Sequence, residues 1–183
     1  MKRVTRGEVR NKKDYEAIRD NFRGSVLKQK ELRRVHVGAN LTFLFENHDT
    51  VLYQVQEMLR AEGTSAESDI LHEIETYNEL LGDKGELGCT LLVEIEDAEK
   101  RAELLSRWVD LPTFIYIEAQ DGTRIPATFD PRQVGTGRIS SVQYIKFKVG
   151  DKVPRKVGCS HPDIASEAVL SPEQIAALCM DLL

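Results

Sequence analysis

Two carboxylates, Glu62 and Glu67, stand five residues apart across the short Gly63-Thr64-Ser65 turn. Each lies on the apolar stripe of its own helical segment, Glu62 at the end of one and Glu67 at the start of the next. Carboxylates gathered at a tight turn offer hard oxygen ligands, so a divalent metal is the cofactor this pair would take. His48 opens the stripe that Glu62 closes, but fourteen helical residues separate them, about 21 Å at 1.5 Å per residue. It therefore cannot join the pair directly. No Glu-x-x-His occurs, so the usual di-iron bundle signature is absent. The competing role is structural, with Glu62 and Glu67 as helix-end carboxylates paired to Arg33, Arg34 or Arg60. In a metal-dependent enzyme, Arg33 and Arg34 would hold an anionic substrate.

Cys159-Ser160-His161-Pro162 offers a second chemistry. A Cys-x-His pair supplies two zinc ligands, whereas zinc takes four, or three with an open position. It also has the residue types of a nucleophile and its base, but an ordinary turn is the better explanation, because so short a pair is frequent by chance. Gly135-Thr136-Gly137-Arg138 is Gly-rich and basic, yet matches neither a dinucleotide fingerprint nor a P-loop. Ser140 and Ser141 lack the G-x-S-x-G surroundings of a hydrolase elbow. Tyr144, Lys146 and Lys148 share one face of an alternating segment, as a solvated sheet face would.

These residues hang on elements that the periodicity defines. Val35 and Val37, then Leu41, Phe43 and Phe45, alternate around Gly38-Ala39-Asn40, the pattern of a β-hairpin. Asn47 or Asp49 caps the helix that follows, whose stripe is Val51, Leu52, Val55, Met58 and Leu59. A long helix over residues 14–33 precedes the hairpin, with Tyr15, Ile18, Phe22 and Val26 inward and Gly24 inside it. A third helix, capped by Ser65, carries Ile70, Leu71, Ile74, Tyr77 and Leu81, with Asn78 on the same inward side. A strand over 87–95, a helix from Asp97, and strands over 113–119, 124–129 and 141–149 follow. Ser171-Pro172-Glu173 opens a last helix. The order α-ββ-α-α-β-α-β-β-β-α predicts one α+β domain over residues 1–183. It should hold a mostly antiparallel sheet of five or six strands, with four to five packed helices. Residues 87–119 have the order of a βαβ crossover. Residues 1–12 read as a flexible basic N-terminus, and 150–183 as a loop plus the last helix.

The chain has 183 residues, 30% charged and 41% hydrophobic, the composition of a soluble globular protein. No apolar run reaches the ~20 residues of a membrane span. No signal-peptide core is present, and Cys89, Cys159 and Cys179 form no CxxC, so a cytoplasmic location with reduced thiols is expected. The net charge of −5 hides an asymmetry. Residues 1–34 carry 12 Lys or Arg against 5 Asp or Glu, and the remainder 13 against 25. A basic first helix of this kind serves nucleic acid, an acidic lipid surface, or the chain's own acidic body. No RNA-binding motif or interleaved aromatic accompanies it, which favours the last and disfavours nucleic acid.

The stretch RRVHVGANLTFLFENHDTVLYQVQEMLRAE (33–62) resembles an uncharacterised bacterial family, a domain of unknown function. GELGCTLLVEIED, RISSVQYIKF and HPD extend the resemblance over most of the chain. His48 stands where the family is expected to carry Arg, and the cysteine of CSHPD also departs from it. Through gene neighbourhood, the resemblance implies association with rubrerythrin-like and iron–sulfur oxidoreductase proteins. The expectation is thus an accessory or binding protein of an iron- or thiol-based redox or oxidative-stress system. The alternatives are a metal-dependent enzyme using Glu62 and Glu67, and a nucleic-acid-binding protein acting through the first helix. Whichever holds, an inward-facing Glu62 needs a partner, and Arg33 and Arg34 are the cations expected to supply it.

Overall fold

The hairpin expected at the centre is present, as β1 (Arg34–Val37) and β2 (Leu41–Glu46), paired antiparallel with Val35 opposite Phe43. The structure, a computed structural model, describes residues 1–135 and 137–183. Before the hairpin, α1 (Lys12–Glu31) starts at Asn11, whose side chain accepts from the Asp14 N–H. After it, α2 (His48–Glu62) is capped by Asn47, which accepts from the Thr50 N–H at 2.9 Å. Gly63, at φ 67°, ends α2 in the left-handed region that favours glycine. α3 (Glu67–Asn78) follows, with Ala66 rather than Ser65 at its cap position and no side-chain cap bond.

The remaining elements are β3 (Glu86–Val93), α4 (Ala98–Arg107), β4 (Ile115–Ala119), β5 (Arg124–Pro126) and β6 (Thr128–Phe129). They continue with β7 (Val134–Gly135), β8 (Arg138–Ile139), β9 (Val142–Lys148), β10 (Pro154–Cys159), β11 (Ser166–Val169) and α5 (Pro172–Asp181). The fold is α+β with five helices and two main antiparallel sheets. One sheet has the order β1-β2-β3-β9-β6, the other β11-β10-β4-β5, and β7 and β8 form a small ribbon. Every pairing is antiparallel. The expected βαβ crossover over 87–119 is absent, because β3 and β4 belong to different sheets. The expected single strand over 124–129 is divided at Ala127, where the chain passes from the edge of one sheet to the edge of the other. Pro126, lacking a donor, sits at that corner as its chemistry requires.

Two cores result. Phe43, Phe45, Leu91, Ile145 and Phe147 of the first sheet pack with Ile117 and Val157 of the second, and Leu105, Trp108 and Leu178 join them. A smaller core holds Val51, Val55, Leu59, Ile70, Ile74 and Leu81, together with Val4 and Val9. Of residues 1–12, read from the sequence as a flexible N-terminus, those before α1 are laid along this second core. Two side-chain amides clamp their backbone. Asn78 accepts from the Val4 N–H at 2.8 Å and donates to its carbonyl at 2.9 Å. Gln56 does the same at Arg10, at 2.6 and 3.2 Å. The stretch after residue 150, expected as a loop, contributes β10 and β11 before the last helix. Gly158 in β10 is where the Tyr116 ring presses, with its Cζ 2.6 Å from the position a Cβ would take.

Two glycines have opposite meanings for packing. Gly24 lies within α1 with nothing within 4 Å of a built Cβ, so it costs the helix entropy and secures no close contact. Gly88 in β3 lies directly under the turn after α3, and a Cβ there would fall 1.8 Å from the Leu80 carbonyl oxygen. Gly24→Ala should therefore raise stability by up to ~1 kcal/mol. Gly88→Ala should lower it by about 3 kcal/mol, since backbone must move to admit the methyl. Urea denaturation of the two variants beside wild type measures both.

Candidate functional site

The metal pair expected at the α2–α3 turn is not assembled. Glu62 is exposed at the C-terminal end of α2, and Glu67 is exposed at the start of α3. Both Glu67 oxygens accept from the Arg6 Nε, at 2.8 and 3.0 Å, so an arginine occupies them. Among the described residues, no group of three or more His, Cys, Asp or Glu side chains could hold a metal ion. The turn instead faces a cavity lined by arginine and lysine. The expected pairing of Glu62 with Arg33 or Arg34 is also absent. Arg34 is exposed; among the described residues its side chain has no partner, and its backbone carbonyl accepts from Gln174.

Arg33 does bind a carboxylate, but one from the far end of the chain. Its Nε and Nη2 donate to the two Asp181 oxygens at 2.7 and 2.9 Å, with both side chains only 8% exposed. Its Nη1 donates to the Gln29 carbonyl at 3.1 Å. Burial pushes the Asp181 carboxyl up from its usual range, and Arg33 works against that shift. The Gln29 side chain extends the network, donating to Asp49 at 2.8 Å and accepting from Asn47 at 3.0 Å. His48 sits beside it, with Nδ1 3.0 Å from Asp49 and Nε2 3.1 Å from Glu8. Glu46 accepts from Thr50 and Thr90, joining α2 to β3.

Cys89, Cys159 and His161 are likewise held in internal contacts. Cys89 is buried in the inter-sheet core and Cys159 lies against the turn, and burial pushes both thiols up. A raised thiol lacks the thiolate that nucleophilic chemistry needs. His161 packs edge-on to Phe114 and Trp108, and its Nδ1 accepts from the Asp163 N–H at 3.2 Å. Asp163 in turn accepts from Trp108 Nε1 at 3.0 Å and ion-pairs with Arg107 at 2.8 Å. The HPD segment is thus a turn that pins the second sheet to the end of α4. Of the Gly135–Arg138 stretch, Thr136 lies outside the described residues.

What the fold opens instead is a groove of about 660 Å³ over the outer face of β9. One wall is the end of α3, with Tyr77 and Leu80, held against the sheet where Gly88 lets the Leu80 carbonyl come down. The opposite wall is the segment from Phe129 to Gln133. The Gln133 side-chain amide takes the place of a strand there, donating to the Tyr144 carbonyl at 2.9 Å and accepting from its N–H at 2.7 Å. The floor carries Tyr144, 48% exposed, and Lys146, half-buried. Arg3 at the rim is tied to Asp83 at 2.7 Å and to the Asn78 carbonyl. Among the described residues Lys146 has no carboxylate within ion-pair distance, so its charge faces the groove unpaired. Burial raises the Tyr77 phenol from its ordinary value. Glu79 and Asp130 also line the groove, Asp130 paired with Arg132, so the aromatic rings beside Lys146 suit a flat apolar group whose acidic end lies at Lys146. The sequence placed Tyr144 and Lys146 on an outer face correctly, but carried no signal that α3 would wall that face in.

The fold joins two packed antiparallel sheets to a helical layer that holds the N-terminal segment. The chain belongs to the family described as protein of unknown function, DUF3501, whose model matches residues 3–182. A crystal structure of a novel protein of unknown function from Burkholderia pseudomallei has the same architecture. It is 27% identical, with a TM-score of 0.90 over 100% of both chains. No curated protein matches.

The contrast between Asp181 and Glu62 is directly measurable. Asp181→Ala leaves the Arg33 guanidinium buried without its counter-charge and should cost about 3–5 kcal/mol in denaturant unfolding. Glu62→Ala removes an exposed side chain and should change stability by no more than about 0.5 kcal/mol.

Proposed function

We propose that the protein is a binding protein, acting as an accessory to a partner system, with the groove over β9 as its ligand site. The observation that carries this reading is the unpaired Lys146 on the groove floor beside Tyr144, with Tyr77 on the α3 wall. In addition, the reactive side chains the sequence offers at Arg33, Glu67, Cys159 and His161 are committed to internal contacts. The family resemblance adds a partner class, a rubrerythrin-like or iron–sulfur protein of a redox or oxidative-stress system. An aromatic side chain followed by an acidic one, on such a partner, has the chemistry the groove receives.

Two measurements bear on this. Anilinonaphthalene sulfonate, an aromatic ring system with one anionic group, should fluoresce on binding wild type. Lys146→Ala should weaken it about tenfold, the value of one lost charge-assisted contact. Affinity unchanged in Lys146→Ala and Tyr144→Ala alike would remove the groove from the reading. Pull-down from native extract should recover an iron–sulfur or rubrerythrin-like protein with wild type and lose it with Lys146→Glu. Recovery of the protein alone, under conditions that preserve weak complexes, would remove the redox partner.

A further inference from the structure

The cavity at the α2–α3 turn shares no lining residue with the groove, and its chemistry is different. It measures about 340 Å³ and lies where the N-terminal segment and the start of α1 meet α2 and α3. Arg6, Arg10, Lys12 and Arg60 line it, and no Asp or Glu does. In a chain of net charge −5, four cations gathered on one concavity repel one another at a cost that folding alone does not require.

Two of the four are oriented by carboxylates that stand outside the cavity. Glu67 takes the Arg6 Nε at 2.8 Å, and Glu16 takes the Arg60 Nε at 2.7 Å. Both pairs are solvent-exposed and contribute little stability. Their geometric effect is larger, because a guanidinium held through Nε presents its terminal nitrogens in a fixed direction. Arg60 keeps both terminal nitrogens, and Arg6 keeps Nη2, without a partner among the described residues. Arg10 and Lys12 have no carboxylate within 4 Å among those residues, although the Arg10 backbone is clamped on both sides by Gln56. Four cations against two carboxylates leave an excess of two positive charges. Thr64 and Ser65 add hydroxyl donors at the rim, and Leu59 and Ile70 form an apolar wall.

We infer that this cavity binds the phosphoryl group of a small phosphorylated molecule, with its organic part against Leu59 and Ile70. A phosphate monoester carries close to two negative charges at neutral pH, which matches the excess. Arginine forks with free terminal nitrogens bind phosphate oxygens in pairs. The volume lies at the low end for small-molecule sites, enough for one such group and a ring but not for a polymer. The exposed cations farther along α1, Arg23 and Lys28, line no part of it.

Titration with phenyl phosphate and with inorganic phosphate tests this, read by calorimetry and by amide chemical shifts of Gly63, Thr64 and Ser65. Phenyl phosphate should bind more tightly than inorganic phosphate, with the shifts confined to that turn and its neighbours. The Arg10→Ala/Lys12→Ala double variant removes two exposed side chains without internal partners, and should fold with an unchanged melting temperature. It should weaken phenyl phosphate by tenfold or more, on the order of one charge-assisted contact. The Arg23→Ala/Lys28→Ala variant removes the same amount of charge, from α1 outside the cavity, and should bind as wild type does. Equal weakening in the two double variants would mean diffuse electrostatics and overturn the site. No heat and no shift at millimolar probe would overturn it also. Tighter binding of a short oligothymidylate than of phenyl phosphate would replace the small ligand with nucleic acid.

Discussion

The buried pair between Arg33 and Asp181 joins residues 148 positions apart, and much of the molecule is arranged to keep it. Arg33 stands where α1 gives way to β1, and its carbonyl accepts from the Phe45 N–H of β2. Asp181 ends α5, whose Leu178 is in the inter-sheet core. An ion pair taken out of water returns little net stability against a hydrophobic alternative, but once present it tolerates no loss of either partner. The guanidinium is satisfied from three directions, by two carboxylate oxygens and the Gln29 carbonyl. Gln29 is in turn fixed by Asn47 and Asp49 at the start of α2. Pair and network together set how the helical layer meets the sheets, because α1, α2, β1 and α5 all end or begin there.

The packing of the helical layer determines where the two concavities lie. The helical layer has its own core and meets the first sheet mainly at its end, where the chain passes from α3 into β3. Gly88 makes that meeting close by letting backbone lie on backbone, and the Leu80 turn then stands over the sheet as a wall. On the other side of the layer, the N-terminal segment completes the second core with Val4 and Val9 and carries Arg6 and Arg10 to the α2–α3 turn. Helix packing therefore creates both sites, while the sheets supply only the floor of one.

The hairpin, α2 and the stripe of α1 were legible because periods of two and 3.6 mark faces directly. The partner of Arg33 was not. Periodicity says that a residue faces inward but not what it meets, and the partners weighed from sequence were near in the chain. Glu62 illustrates a second limit. The stripe it ends continues past the point where α2 has anything to pack against, so the last inward position faces solvent. Asn78 was read as inward and is, although its partner is the N-terminal segment. That segment offered only two spaced valines as a signal, too few for a periodicity. β10 escaped notice because Pro154, Gly158 and its charged residues interrupt alternation, and β11 has only four residues. The antiparallel α+β class survived these omissions, since added strands joined by hairpins leave the class unchanged.

The charge asymmetry of the sequence resolves into two populations of cations. Some basic residues of the first 34 settle on the chain's own acids, as Arg3 does on Asp83, Arg6 on Glu67, Arg19 on Glu57 and Arg33 on Asp181. These account for the bland reading of a basic helix on an acidic body. Arg10 and Lys12 do not follow it. They stand beside two arginines that their own carboxylates orient rather than neutralise toward the cavity. Lys13, Arg23, Lys28 and Lys30 of α1 also lack a carboxylate partner among the described residues, but none of them lines the concavity that Arg10 and Lys12 share with Arg6 and Arg60. A nucleic-acid surface would need the charge distributed over an extended face, whereas charge focused on one concavity selects a compact anion.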